Sequence, residues 1–76
     1  MHEYLAIKLV KQELTNATSS YPSFHSAHEG LAVIEEEFFE LMGEVFLHPR
    51  ERSQERMKQE AIQLAAMALR FIIDLT

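Results

Sequence analysis

The chain contains no cysteine, which removes both disulfide cross-links and thiolate metal sites, the usual reinforcements of very small domains. Any metal must therefore be held by oxygen or imidazole. Glycine is nearly as scarce. With only Gly30 and Gly43, no glycine-rich phosphate loop, dinucleotide-binding turn or nucleophile elbow can be built. Positive charge is in deficit, with 7 Lys and Arg against 12 Asp and Glu and a formal net charge of −5. Binding to a bare phosphate backbone is driven by cationic side chains that release counterions, so no nucleic-acid partner is expected. A divalent cation between carboxylates and a phosphate would invert the local charge, which keeps a small phosphate-bearing ligand in play. Long apolar runs are missing as well. The C-terminal one is broken by Arg70 and Asp74, and the N-terminus has no leader-like pattern. A soluble, cytoplasmic protein without a membrane partner is expected.

Apolar material, in contrast, is plentiful. Of the 76 residues 47% are hydrophobic, with five Phe and four Met, whereas a domain of this size hides only about 60% of the surface its unfolded chain exposes. Self-association is the expected remedy. No repeat or composition shift divides the sequence, so residues 1–76 are read as one domain.

The periodicity predicts an all-α chain of three helices. From about Glu3 to Thr15, Tyr4, Ile7, Val10 and Leu14 recur at three- and four-residue spacing. The stretch from Asn16 to Ala27 is rich in Asn, Thr, Ser and Pro22 and reads as a loop, with Phe24 tucked inward. Ser26 and Glu29 have the S-x-x-E form of a capping box, which starts a second helix over about Ala27 to Leu47, ahead of Pro49. Leu31, Ile34, Phe38, Leu41 and Val45 form its apolar seam. The third helix spans about Ser53 to Leu75 and is apolar nearly all round, so its second half is expected in a subunit interface.

The second helix carries the unusual feature. Measured from Glu36, Glu29 falls at about 20°, Glu40 at about 40°, Glu44 at about 80° and Glu37 at about 100° around the axis. The seam at about 180–200° puts this acidic face broadly opposite it. Carboxylates at i and i+4 repel by a few tenths of a kcal/mol per pair. A solvated helix face usually mixes the signs of its charges, yet no Lys or Arg stands between Glu29 and His48. The third helix adds Glu60 and Gln63 at i, i+3. If the two helices run antiparallel, Glu36, Glu37, Glu40 and Glu60 meet, and four carboxylates suit a hard cation such as Mg2+, which takes oxygen ligands. Such an ion polarises phosphoryl oxygens and activates water.

Glu36, Glu37, Phe38, Phe39 and Glu40 spell E-E-x-x-E, and Glu60 opens an E-x-x-Q on the next helix. Together with the stretches Phe24 to Leu41 and Glu60 to Phe71, they resemble the MazG-like members of the all-α nucleoside triphosphate pyrophosphohydrolases, marked by E-E-x-x-E and E-x-x-D. The resemblance covers about residues 24–75. It implies a helical bundle assembled as a homo-oligomer, dimer or tetramer. It also implies Mg2+ as cofactor and hydrolysis of a (d)NTP to its monophosphate and pyrophosphate. By that resemblance Glu37, Glu40 and Glu60 are metal ligands, and Glu36 holds a further ion or takes the proton of the attacking water. Gln63 stands where the family has Asp. Its carbonyl oxygen can still face a cation, but it brings no charge and is no base. The chain ends at Thr76, where the family commonly continues into a further helix over the substrate, so the expectation is a partner subunit completing the pocket or a pared-down chain. A module of this kind that assembles without turnover is the alternative.

Three residues are candidates for substrate contact: His28 beside the acidic face, Arg70 on the Glu60 and Gln63 face, and Phe39, whose ring flanks the carboxylates. Each has a plainer reading, as a capping residue, an i, i+4 partner of Asp74, and packing. His25 and His28 form H-x-x-H at the loop-to-helix junction without a third ligand nearby. The paired E-x-x-H motifs of a carboxylate di-iron bundle are absent.

Overall fold

Each helix begins where a side chain satisfies an orphan backbone donor. His2 Nδ1 accepts from Tyr4 N at 3.1 Å, Ser26 Oγ from Glu29 N at 3.1 Å and Ser53 Oγ from Arg56 N at 3.2 Å. Glu3, Glu29 and Glu55 then place negative charge in the first turns, against the positive helix ends. Glu29 also reaches back, but accepts from His25 N at 3.2 Å, one residue before the cap. The resulting structure, a computed structural model describing all 76 residues, consists of α1 (Glu3–Ser20), α2 (Ala27–Val45) and α3 (Gln54–Leu75), with no strand. No helix is long and apolar enough to cross a membrane.

α1 continues to Ser20, beyond the expected end at Thr15, and the loop shrinks to residues 21–26. The polar side chains that signalled a loop turn back onto the helix. Thr15 Oγ1 donates to Lys11 O at 3.1 Å and Ser19 Oγ to Thr15 O at 2.9 Å, both four residues back. Ala17, on the same stripe as Val10 and Leu14, is buried in the core. α2 stops at Val45 rather than Leu47, as Phe46 leaves the helical backbone shortly before His48, which the following proline keeps out of it.

α2 and α3 form an antiparallel hairpin. A Cβ added to Gly30 would lie 2.7 Å from Phe71 Cδ2, so α2 approaches α3 there as only glycine allows. At the other end, Glu44 pairs with Arg56. α1 packs on the opposite flank of α3, and its backbone stays apart from that of α2. α3 is therefore the middle member of an open layer. Its core is Ala17, Phe24, Ala66 and Met67, flanked by partly buried Val33, Ile34, Phe71 and Leu75. The layer is drawn out, with a radius of gyration of 13.2 Å against about 11 Å for a compact chain of this length.

The seam expected on α2 is split. Ile34, Leu41 and Val45 are half-buried, but Leu31 and Phe38 are 59% and 49% exposed. α2 is rotated so that Gly30, Ile34, Glu37 and Leu41 face α3, which brings one member of the acidic face inward.

Candidate metal centre

That rotation builds the site. Glu37 and Glu40, i and i+3 on α2, and Glu60 on α3 each offer a carboxylate oxygen, and the three oxygens lie within 4.8 Å of one another. Gln63, one turn beyond Glu60, turns the end of its amide to the same point; assigning nitrogen to the side facing the carboxylates, as two acceptors require, lets it donate to Glu37 Oε2 at 3.1 Å and Glu60 Oε2 at 3.3 Å. No basic side chain pairs with Glu37, Glu40 or Glu60. The Arg56 guanidinium, further along the hairpin, is engaged by Glu44 at 2.8 and 3.1 Å and by Glu51 O at 2.9 Å.

The crowding shows in the carboxyl groups themselves. Partial burial, then the charge of Glu40 and a hydrogen bond with it, then Glu60 and Glu36, push Glu37 up to about 7. Glu60 is raised too, by burial first and then by a hydrogen bond with Glu40 and the charges of Glu40 and Glu44. A nearby cation would reverse both effects. Three hard oxygen donors from two rigid helices, lacking any positive partner, fit a divalent cation of the Mg2+ type. Gln63 fits only if its amide turns over to present oxygen.

Beside this group opens a cleft of about 570 Å³ between α1 and α2, floored by Gln63, Met67 and Arg70 of α3. Glu36 and Glu37 stand on its α2 wall, Asn16 and Ser20 on its α1 wall, and Phe24 closes one side. Glu36 is exposed and outside the converging three, at the mouth where cleft and carboxylates meet. Asn16 and Ser20 escaped sequence reasoning because their segment reads as loop. The signal for them was Ala17, which extends the Val10 and Leu14 stripe by another turn.

Arg70, a candidate phosphate ligand, is instead held within the fold and is 3% exposed. Its Nη1 donates to Ala17 O at 3.1 Å, Nη2 to Tyr21 O at 2.6 Å and Nε to Asp74 Oδ2 at 3.2 Å. The guanidinium also lies 5.6 Å from the centre of the Phe24 ring. It thus caps the C-terminal carbonyls of α1, where a cation is favoured. Asp74 Oδ2 additionally accepts from Phe24 N at 2.9 Å, tying down the loop. His28 and Phe39 are exposed and line no part of this cleft. The Phe39 ring leans on Phe38, 6.1 Å away at 51°. His25 pairs with Glu29 at 3.4 Å, and neither His25 nor His28 joins a cluster of metal-ligating groups.

Comparison with protein-family models, with curated proteins and with solved structures finds no match to this chain.

Proposed function

We propose that the chain is a Mg2+-dependent nucleoside triphosphate pyrophosphohydrolase of the MazG-like, all-α kind. It splits a (d)NTP and water into (d)NMP and pyrophosphate, and works in the cytoplasm as a homo-oligomer, a dimer or tetramer. The observation that carries this reading is the convergence of Glu37, Glu40 and Glu60 from two helices, without a basic partner, beside a cleft sized for a small ligand. Those three carboxylates would hold the ion, with Gln63 contributing its carbonyl oxygen once the amide is turned. Mg2+ supplies neutralisation of the triphosphate and polarisation of a phosphoryl oxygen. Glu36, exposed at the mouth, takes a proton from the attacking water. Phe24 and Met67 offer the nucleoside an apolar bed, and Asn16 and Ser20 hydrogen-bonding edges.

The test is pyrophosphate release from each common NTP and dNTP in the presence of Mg2+. At least one nucleotide is expected to turn over, and Glu37→Gln and Glu40→Gln to abolish that turnover. The reading fails if no nucleotide yields pyrophosphate and calorimetry finds no Mg2+-assisted nucleotide binding.

One observation favours a second reading, a helical nucleotide-binding or oligomerisation module without turnover. The Gln63 amide donates to both Glu37 and Glu60, binding two carboxylates together without an ion. This module would assemble in the absence of metal and gain no stability from Mg2+.

A further inference from the structure

The side of the α2–α3 hairpin turned away from the cleft carries an exposed apolar surface. On α3, Ala61, Ala65, Ala68, Leu69 and Ile72 share an arc of about 100°, with no polar or charged side chain in it between Ala61 and Ile72; Lys58, a turn before Ala61, borders it and pairs with Glu55. Leu31 and Phe38, on the edge of α2 remote from Glu36, extend the surface sideways. It is open to solvent, with Ile72 58%, Leu31 59% and Phe38 49% exposed.

The accessible surface of the chain is 5626 Å², whereas a compact chain of its 8.8 kDa would expose about 4,800 Å². The surplus of roughly 850 Å², spread over the drawn-out layer with this face and the cleft included, is of the size of the ~800 Å² that each partner contributes to a specific interface. We infer that this face is a two-fold interface with a second copy of the same chain, α3 lying antiparallel against its counterpart. The residue sizes are self-complementary under that operation. The arc is small at one end, with Ala61 and Ala65, and large at the other, with Leu69 and Ile72. A half-turn about an axis between Ala65 and Ala68 lays Ile72 of each copy over Ala61 of the other and Ala68 over Ala65, with Leu69 alongside Ala65. Charge selects the same face. Each chain has a net charge of −5, and pairing here buries no ion and turns both carboxylate clusters outward, on opposite sides of the dimer. Each cleft is then built from one chain, and neither is roofed by the other.

This interface specifies the homo-oligomer proposed above and is independent of the chemistry assigned to the carboxylates. Sedimentation equilibrium of the full chain should give a species of twice the 8.8 kDa chain mass. Ile72→Glu should weaken it by about a hundredfold or more, while Ile7→Glu, at an exposed position of α1 outside the face, should leave it unchanged. Because Ile72→Glu can fail to fold, a second variant uses the absence of native cysteine. Ala68→Cys puts a lone thiol beside the axis and should oxidise to a disulfide-linked dimer, whereas Thr15→Cys should not. A monomeric wild type, an Ile72→Glu dimer as tight as wild type, or cross-linking at Thr15→Cys but not Ala68→Cys overturns the interface. A monomer that still releases pyrophosphate overturns the interface alone. A dimer of this geometry that neither turns over nor binds nucleotide with Mg2+ supports the interface and removes the hydrolase.

Discussion

Two polar clusters ride on α3 and are built on opposite principles. At Arg70 and Asp74 one positive and one negative group meet two backbone carbonyls and one backbone N–H, and every nitrogen of the guanidinium donates within the fold. At Glu60 three carboxylates meet with only an amide between them. The first cluster can be nearly sealed from solvent because its charges and hydrogen bonds are matched. The second must stay partly exposed, and part of its charge is held off by protons. A saturated buried charge is architecture; in a crowd of like charges with no counter-ion, each carboxylate raises the cost of ionising the next, and a bound cation would reverse that effect.

Breaking the first cluster should do the most damage. Arg70→Ala leaves Asp74 buried and unpaired and uncaps α1, at a cost of about 3–5 kcal/mol. That approaches the whole stability of a small domain, about 5 kcal/mol. Urea denaturation followed by circular dichroism should show a largely unfolded variant; a midpoint near that of wild type would mean the clasp is ornamental.

The second cluster should respond to an ion instead. Mg2+ at a hundred times its dissociation constant should stabilise the wild type by about 2.7 kcal/mol. Glu37→Gln should lose that response while gaining about 1 kcal/mol in metal-free buffer, as a repelling charge is removed from a partly buried place. Thermal unfolding with and without Mg2+ reads both effects, and a Glu37→Gln protein less stable than wild type without metal would equate the two clusters.

Protons should act in the same sense as the ion, more weakly. Because Glu37 titrates at about 7 in the fold against an ordinary 4.5, the folded chain binds that proton more tightly than the unfolded one. Its contribution is complete below about pH 4.5 and is lost as pH rises through 7. Glu60 shifts in the same direction. With solvent screening allowed for, the metal-free protein should lose on the order of 1 kcal/mol over that window. The loss should be smaller in Glu37→Gln; a melting temperature that rises across the window contradicts the crowding.

The smallest change sharpens the contrast. Gln63→Asp replaces the bridging amide with another negative charge and should lower metal-free stability by about 0.5–1 kcal/mol. It should also tighten Mg2+ binding and raise pyrophosphate release. Calorimetry that finds Mg2+ binding weakened would show that the amide is the better partner for this site.

The difference between the clusters also decides what could be read beforehand. Glu37, Glu40 and Glu60 were legible because like charges at helical spacing are visible in one dimension, and antiparallel helices bring them into register. The start of α2 was legible in Ser26, which acts within one turn of itself. Arg70 was not, since two of its partners are main-chain carbonyls 53 and 49 residues away, and any residue type supplies a carbonyl. The last turn of α1 was hidden for the same reason: Asn16 to Ser20 have loop-like side chains, and what holds them helical is buried Ala17 and the cap from Arg70. The rotation of α2 depends on Gly30 admitting Phe71. Periodicity alone favoured Leu31 and Phe38 as core, because it ranks residues by hydrophobicity and ignores how closely the backbones approach.

The claim that this site exists for a divalent cation is tested most directly by crystals grown with Mn2+, an oxygen-seeking ion that stands in for Mg2+ and scatters anomalously. An anomalous peak bounded by Glu37, Glu40 and Glu60 is expected, with the Gln63 amide turned from its donating position. A map without that peak, with Gln63 still bridging Glu37 and Glu60, would contradict it.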